Sequence, residues 1–594
     1  MDSTFPYFSA LHNRTAMNTV PFTERGSRIL LFEENARFSI KLAERWVAWE
    51  QEYGHYRRRG AFTRDLELLD GAGHPLTVQL EREPHVIHAH TRSGTFHWVF
   101  VDEETLYLHL PATACGVRFH LMAAGGHMDR RGGEFKGDPT HRDTHRNFAY
   151  TTNARLLENQ IHAQEGKLQH VLLRVDANGE NGILFNLTPR LRFHRAMQPF
   201  QEIVNASAQR WREWFDAVPP VADEHRATYA YAWYCLRAGL LSPRFFLTRE
   251  TMTPSKTHYV GAWQWDAFFH ALAYRHMDKK LALDHLRLWT DHQRADGMLP
   301  DAIHDEGAVF QFALPQTGVM QEVTKPPLIA WAALKIFKHF PDADFLQELY
   351  EPLTRWNAWW FEKNDDDHDG IVQYNHPYMG ADDSPLWDEG MPIESPDINT
   401  YLVMQLDSLA RIAELVGETN DAAMWRAHAE ELTQKIIDHF WDEEAGLFWA
   451  TKDHQRIPCV TLFNLYPLLT GRLPKRIEER VIAHLTSPQE FWTPYPLPTV
   501  SVSDPKFDAD QMWRGPTWVN VNYLFIEGLQ KCGYPELARE LLERTLAVVE
   551  LHADIYEYYN PLTGTHPPKA AGMFGWTSAV YVDLAIRAAR NETI

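Results

Sequence analysis

The period of the hydrophobic pattern changes once along the chain, near Pro199, and this change limits the fold more than any other feature. Before it, apolar residues alternate with polar ones, as in half-buried strands. FHWVF at 96–100 and LYLHL at 106–110 flank the turn Asp102-Glu103-Glu104 and predict a hairpin. VLLRV at 171–175 and ILFNL at 183–187 flank DANGENG at 176–182 and predict a second hairpin. One helix is predicted to interrupt the strands near residues 39–51.

After Pro199 the spacing becomes helical. Residues 203–217 predict a linking helix closed by Pro219-Pro220. Leu402, Leu406, Leu409, Ala413 and Val416 mark one helix face, with Ser395 and Pro396 at its start and Gly417 at its end. Pro326-Pro327 open another helix, with Ile329, Ala333, Ile336 and Phe340 on one side. About a dozen such segments follow, several joined by long loops rich in Asp, Gly, Pro and Trp. The expected architecture is multidomain: an N-terminal antiparallel β-sandwich over residues 1–198, a linker helix over 199–222, and an all-α (α/α)6 barrel over 223–594. A superhelical repeat array is the competing all-α solution, weakened by the lack of a fixed repeat period.

Composition excludes several classes. A net charge of -21, from 58 basic and 79 acidic residues, argues against binding nucleic acid or an anionic membrane. Arg57-Arg58-Arg59 reads as a solvated or ion-paired turn. Cys115, Cys235, Cys459 and Cys532 are widely spaced, and buried free thiols are the simplest reading. The first residues have no basic segment followed by an apolar stretch, and no run of about 18 apolar residues occurs, so a cytoplasmic location is expected. No GxGxxG follows a strand, and neither a P-loop nor HExxH is present.

Two carboxylates stand out by their surroundings. Asp382 lies in GADDSPLWD (380–388), beside Asp383 and near Trp387; like charge and desolvation would keep such a carboxyl protonated, as a general acid requires. Glu557 opens EYYNPLTG (557–564), where the hydroxyls of Tyr556, Tyr558 and Tyr559 can position a water. Two carboxyls facing one another in an aromatic pocket are what hydrolysis of a sugar bond needs. The aromatic frames are WQWDAFFHAL (263–272) and WRGPTWVNVNYL (513–524). Asp266 can hold sugar hydroxyls or cap a helix, and Arg514 can touch substrate or pair with an acid. The turn 296–301 can bring Asp301 near the same pocket. Asp365, Asp367 and Asp369, followed by Gly370, match the first half of a calcium loop. The twelfth position is His376, which excludes a full EF-hand but leaves a single calcium ion open.

These segments resemble glycoside hydrolase family 63 and, more loosely, its trehalase relatives. GADDSPLWD is similar to the family's GMDNSPRWD, whose first Asp is the general acid; that position is Asp382. EYYNPLTG resembles the segment whose Glu is the general base, here Glu557. WRGPTW resembles the frame whose two Trp line the sugar pocket, here Trp513 and Trp518, and WQWD resembles the pair that grips terminal glucose, here Trp265 and Asp266. The resemblance spans about residues 255–590 and implies a β-domain joined to an (α/α)6 barrel, and hydrolysis of α-glucosides with inversion. The chain departs from the pattern at Lys325, where relatives acting on glycerate glucosides have Gln, at Met512, where they have Tyr, and at Tyr378-Met379.

The expectation is an inverting, exo-acting hydrolase that releases terminal glucose from a small α-glucoside or oligosaccharide. Asp382 and Glu557 act roughly 6.5–9.5 Å apart. Trp265, Asp266, Lys325, Trp387, Trp513, Arg514, Trp518 and Tyr559 bind substrate. No cofactor is required, and neither nucleic acid nor membrane is a partner. A glycoside phosphorylase on the same barrel and a non-catalytic carbohydrate-binding protein stay open beside it.

Overall fold

The computed structural model describes residues 6–47, 56–58, 61–138, 146–163, 167–193 and 195–590. The chain divides into two units. Among the described residues, one takes those up to Val218 together with Arg237–Ser242; the other takes Pro219–Leu236 and residues 243–590.

The first unit is β-rich. A six-stranded antiparallel sheet runs in the order Ile29–Glu34, Arg37–Leu42, Ala61–Asp70, Ala114–Met122, Leu168–Asp176, Arg155–Ala163. An eight-stranded sheet runs Gly125–Asp129, Gly132–Lys136, Phe148–Thr152, Gly182–Leu187, Thr105–His109, Gly94–Asp102, Val86–Thr91, Gln79–Glu83. Both contribute alternate residues to one apolar core, Phe38, Ile40, Val117, Leu173 and Val175 from the first and Trp98, Leu108, Phe148, Ile183 and Phe185 from the second. The opposite face of the larger sheet presents Val86, Val99, Tyr107 and Leu184, which cluster with Ile203 of the helix Phe200–Asp216. The segment expected to link two domains therefore packs on this sheet.

Two local expectations change. The first predicted hairpin forms, with Gly94–Asp102 paired to Thr105–His109. The second does not. Leu168–Asp176 pairs with Ala114–Met122 and Arg155–Ala163, whereas Gly182–Leu187 pairs with Phe148–Thr152 and Thr105–His109. The turn-rich stretch between them crosses from one sheet to the other, so that both strands turn their apolar faces to the shared core. The helix expected near 39–51 is instead strand, Arg37–Leu42 and Arg45–Val47. Phe38, Ile40 and Leu42 are buried at a spacing of two, which only a strand can satisfy. Residues 48–51, and Arg59 of the basic run, lie outside the described residues.

The second unit is helical. Among the described residues, eleven α-helices lie between Arg226 and Arg590. Six segments pack in a cyclic order: Gln264–Tyr274 on Ile329–His339, then Pro396–Val416, the 3-10 helix Leu462–Thr470, Val519–Lys531, Gly575–Arg590, and back to Gln264–Tyr274. Every residue of Gln264–Tyr274 and of Leu462–Thr470 is buried, the mark of helices covered on all sides. Lys279–Thr290, Ala343–Lys363, Thr419–Phe440, Lys475–Leu485 and Pro535–Glu550 flank this set. Lys475–Leu485 buries only Ile477, Glu478, Val481 and Leu485, one stripe of an amphipathic helix. Pro396–Val416 starts after Ser395 and ends at Gly417, whose φ is +90°. It buries Leu402, Leu406, Leu409 and Ala413 as the spacing predicts, and also Ile398, Gln405 and Ile412 on its other sides.

Cys115, Cys235 and Cys459 are buried free thiols and Cys532 is half-buried. No helix among the described residues is long and apolar enough to cross a membrane.

Candidate active site

Several helices of the second unit begin at one pocket, and the residues just before or inside their first turns line it. Trp265 and Asp266 stand in the first turn of Gln264–Tyr274. Lys325 precedes Ile329–His339 across Pro326-Pro327. Trp518 is the N-cap of Val519–Lys531. Trp576 is the second residue of Gly575–Arg590. Asp382 sits on the turn between the 3-10 helices Pro377–Met379 and Pro385–Glu389, and Glu557 lies in the loop before Gly575. The pocket opens to solvent, and the space between its walls, open solvent included, is about 410 Å³.

Its walls are aromatic. Trp513 and Trp518 stack at 4.0 Å with their planes 8° apart. Trp576 meets Trp265 and Trp518 edge-on at 5.3 and 5.4 Å. The Trp518 indole N–H donates to the carbonyl of Met512 at 3.0 Å, which folds the WRGPTW loop onto itself. Gly515 lets that loop close: a Cβ there would lie 2.2 Å from the carbonyl oxygen of Asp508.

Three carboxyl groups, Asp266, Asp382 and Glu557, and the Lys325 ammonium line this box, and Asp301 is buried beside Lys325 without lining it. Glu557 Oε2 accepts from the Ala571 backbone N–H at 3.2 Å and from the Tyr259 hydroxyl at 3.4 Å. Burial raises its pKa well above the usual carboxylate range, Asp266 and Asp382 add to the rise, and the two neutral donors only partly offset it. Asp382 keeps 39 % of its side-chain surface open, toward a pit walled by protein. Desolvation raises its pKa, Lys325 lowers it and Asp383 adds to the rise. Burial lifts Asp266 to about 8 and Asp301 to about 6, each against the pull of Lys325.

Of the residues singled out by sequence, Trp265, Asp266, Lys325, Asp382, Trp513, Trp518 and Glu557 line the pocket together. Trp387, Arg514 and Tyr559 do not. The Trp387 indole N–H donates to Ala381 at 2.5 Å and its ring meets Tyr374 edge-on, so it braces the Asp382 turn from behind. Arg514 pairs with Asp388 at 2.5 Å and Asp383 at 3.5 Å, tying the two motif loops together. The buried Tyr559 hydroxyl accepts from the backbone N–H of Tyr556 at 3.0 Å, and Tyr556 stacks on His566. Sequence reasoning missed Tyr259, Trp263, Phe574 and Trp576 as lining residues. The available signal was position: each is an aromatic beside a glycine-containing loop that runs into a helix.

Asp365, Asp367 and Asp369 converge, one carboxylate oxygen of each within 4.8 Å of the others. Asp365 Oδ2 accepts from the Gly370 N–H at 3.0 Å, while its Oδ1 is buried and accepts no hydrogen bond.

Comparison with known proteins fits this geometry. The model of the mannosylglycerate hydrolase MGH1-like glycoside hydrolase domain matches residues 259–577, which hold every lining residue but Pro254. The mannosylglycerate hydrolase MGH1 of Selaginella moellendorffii is 25% identical over 399 residues, covering 55% of this chain and 80% of that protein. A GH63 mannosylglycerate hydrolase from Thermus thermophilus, solved with glucose, superposes with a TM-score of 0.52 at 22% identity, over 60% of this chain and 99% of that one. A bacterial glucoamylase solved with acarbose covers 98% of this chain and 94% of its own, with a TM-score of 0.61 at 11% identity. The acid and aromatic frames, the pocket they build and the matched domain agree: the chain belongs to the mannosylglycerate hydrolase MGH1-like family of glycoside hydrolases.

Proposed function

We propose that this glycoside hydrolase removes a terminal sugar from a small α-glycoside with inversion, Asp382 protonating the leaving oxygen and Glu557 deprotonating the attacking water. The observation that carries the reading is the convergence of Asp382 and Glu557, far apart in sequence, on one pocket walled by five tryptophans. The stacked and edge-on rings offer flat faces to the C–H groups of a sugar, and Asp266 offers a carboxyl to its hydroxyls. The cyclic packing order supports an (α/α)6 barrel for the second unit, and the two facing sheets support a β-sandwich for the first. Glucose is the expected sugar; mannose is the second reading, because the named relative is a mannosylglycerate hydrolase.

The division of labour rests on the motif frames. The electrostatics of the pocket residues by themselves pull the other way, since Lys325 favours ionised Asp382, whereas the groups that lower Glu557 are the neutral Ala571 and Tyr259 donors. Coupled carboxyls share their protons as a set, so substrate binding decides the final placement. Activated substrates separate the roles. Asp382→Asn should keep turnover of α-glucosyl fluoride, which needs no protonated leaving group, and lose natural glycosides. Glu557→Gln should lose both. Anomeric proton NMR over kojibiose, nigerose, trehalose, maltose, glucosylglycerol, glucosylglycerate and mannosylglycerate should show the β-sugar first. Early α-anomer, or the reverse pattern in the two variants, overturns the assignment.

The Asp365 loop fits a calcium ion: three carboxylates converge there, and Asp365 Oδ1 is buried without a donor. Asp365, Asp367 and Asp369 would hold the ion, which would brace the loop outside the pocket.

A further inference from the structure

Lys325 is the only basic side chain among the described residues that line the pocket. It is 4 % exposed, and its ammonium has three N–H donors to place. It donates to the Tyr378 carbonyl and to Asp382 Oδ1 at 3.4 Å, and forms an ion pair with Asp301 Oδ1 at 3.2 Å. Its backbone is fixed as well, since its N–H donates to Gln264 Oε1 at 3.2 Å, and the Gln264 amide in turn donates to Thr324 and Pro300. The side chain thus spans three segments: the turn that carries Asp301, the Asp382 turn and the approach to Ile329–His339. An anionic group could draw the ammonium out of this set only by loosening its ion pairs with Asp301 and Asp382, at a large desolvation cost.

We propose that Lys325 is a positioning residue, an internal counter-ion that clamps Asp301 to Asp382 and fixes the Asp382 carboxyl, and that it is therefore closed to an anionic aglycone. The proposal rests on the hydrolase reading above and names the substrate class of that site as uncharged glycosides. The charged and titratable groups facing Asp382 are Lys325, Asp301, Asp266, Glu557, Asp383 and the Tyr378 hydroxyl. Asp383 is itself held by Gln511 at 2.5 Å and Arg514 at 3.5 Å. Lys325 is the one cation of the set, so its removal must raise the protonation midpoint of Asp382. Loss of Asp301 must lower it, because the ammonium then serves Asp382 alone.

The first readout needs no turnover. Difference infrared titration of the full chain follows the carboxyl band that disappears in Asp382→Asn. In Lys325→Gln the midpoint of that band should rise by about 1 to 3 pH units, the usual effect of an opposite charge at this range. In Asp301→Asn it should fall, which keeps the idea testable if Lys325→Gln folds poorly. Unmoved midpoints in both variants overturn the proposal whatever the enzyme hydrolyses. The second readout is kinetic. In wild type, kcat/KM for glucosylglycerol should exceed that for glucosylglycerate at least tenfold, and the basic limb of the pH profile should move up in Lys325→Gln. A shift of the acidic limb instead would keep the counter-ion and reassign Asp382 as the base. A preference for the glycerate substrate that vanishes in Lys325→Gln would show the lysine to be an anion receptor and overturn the proposal.

Discussion

At the residue scale, the pocket stores an electrostatic penalty that can be measured as stability. Asp266 is buried in the first turn of its helix with a pKa of about 8, where burial is the main cause and Lys325 the main offset. Its folded value lies above the unfolded one, so between about pH 4 and 8 the folded chain holds a proton that the unfolded chain does not. Stability from this group is therefore complete at low pH and lost as pH rises through 8. Asp266→Asn removes the penalty. At pH 8 it should be more stable than wild type by about 1–3 kcal/mol, while hydrolysis fails. Urea melts at pH 8 and pH 4 check this, since the difference should close at the lower pH. A variant less stable at pH 8 would mean that the carboxyl makes native contacts stronger than its desolvation.

At the element scale, two glycines separate conformational from steric demand. Gly417 ends Pro396–Val416 at φ +90°, and a methyl group added there would meet nothing within 4 Å. Gly417→Ala should cost about 1–2 kcal/mol in urea unfolding through left-handed backbone alone, with activity intact. Gly515 has no such room, because its Cβ would meet the Asp508 carbonyl at 2.2 Å. Gly515→Ala should shift the loop that carries Trp513 and Trp518 and lower kcat/KM more than tenfold. The Asp365 loop has its own test: millimolar calcium should raise the thermal midpoint of wild type and not of Asp365→Asn. What the sequence made legible follows the same division. Helix starts and stops such as Ser395, Pro396 and Gly417 were readable because they are local chemistry. The turn residues between Leu168–Asp176 and Gly182–Leu187 suit a hairpin; the separation of these strands into two sheets depends on distant partners. Asp382 and Glu557 were legible through their motifs, whereas Trp576 reaches the pocket only through the packing of Gly575–Arg590 on Gln264–Tyr274.

At the scale of the whole helical unit, the same helices that open at the pocket are joined farther along by a buried ionic network. Asp583 accepts from Arg275 at 2.6 Å and Tyr523 at 2.8 Å, and pairs with Arg587 at 2.8 Å and His276 at 2.6 Å. Glu527 pairs with Lys335 and with Arg587 at 3.1 Å, and takes the Trp331 indole N–H at 3.1 Å. Burial pushes Glu527 up, but Lys335 and Arg587 outweigh it and set its pKa to about 2. A depressed carboxylate lends stability that is present above its unfolded value, near 4.5, and is lost as pH falls toward 2. The loss is on the order of 2–3 kcal/mol for Glu527 alone. Thermal midpoints between pH 5 and 2.5 should fall steeply in wild type and less steeply in Glu527→Gln, whose melting is lower throughout. Parallel slopes would place the acid sensitivity elsewhere.

The helix Gly575–Arg590 lies against Gln264–Tyr274, so the last helix described meets one of the first in its unit. Contacts between such remote segments form late and slow the search for the native state. A ribosome presents Trp265 and Asp266 long before it presents Glu557 and Trp576. Throughout synthesis the growing polypeptide thus exposes half a sugar site, tryptophans included, to whatever chaperone or carbohydrate the cell offers. The pocket is whole only once Gly575–Arg590 docks on Gln264–Tyr274.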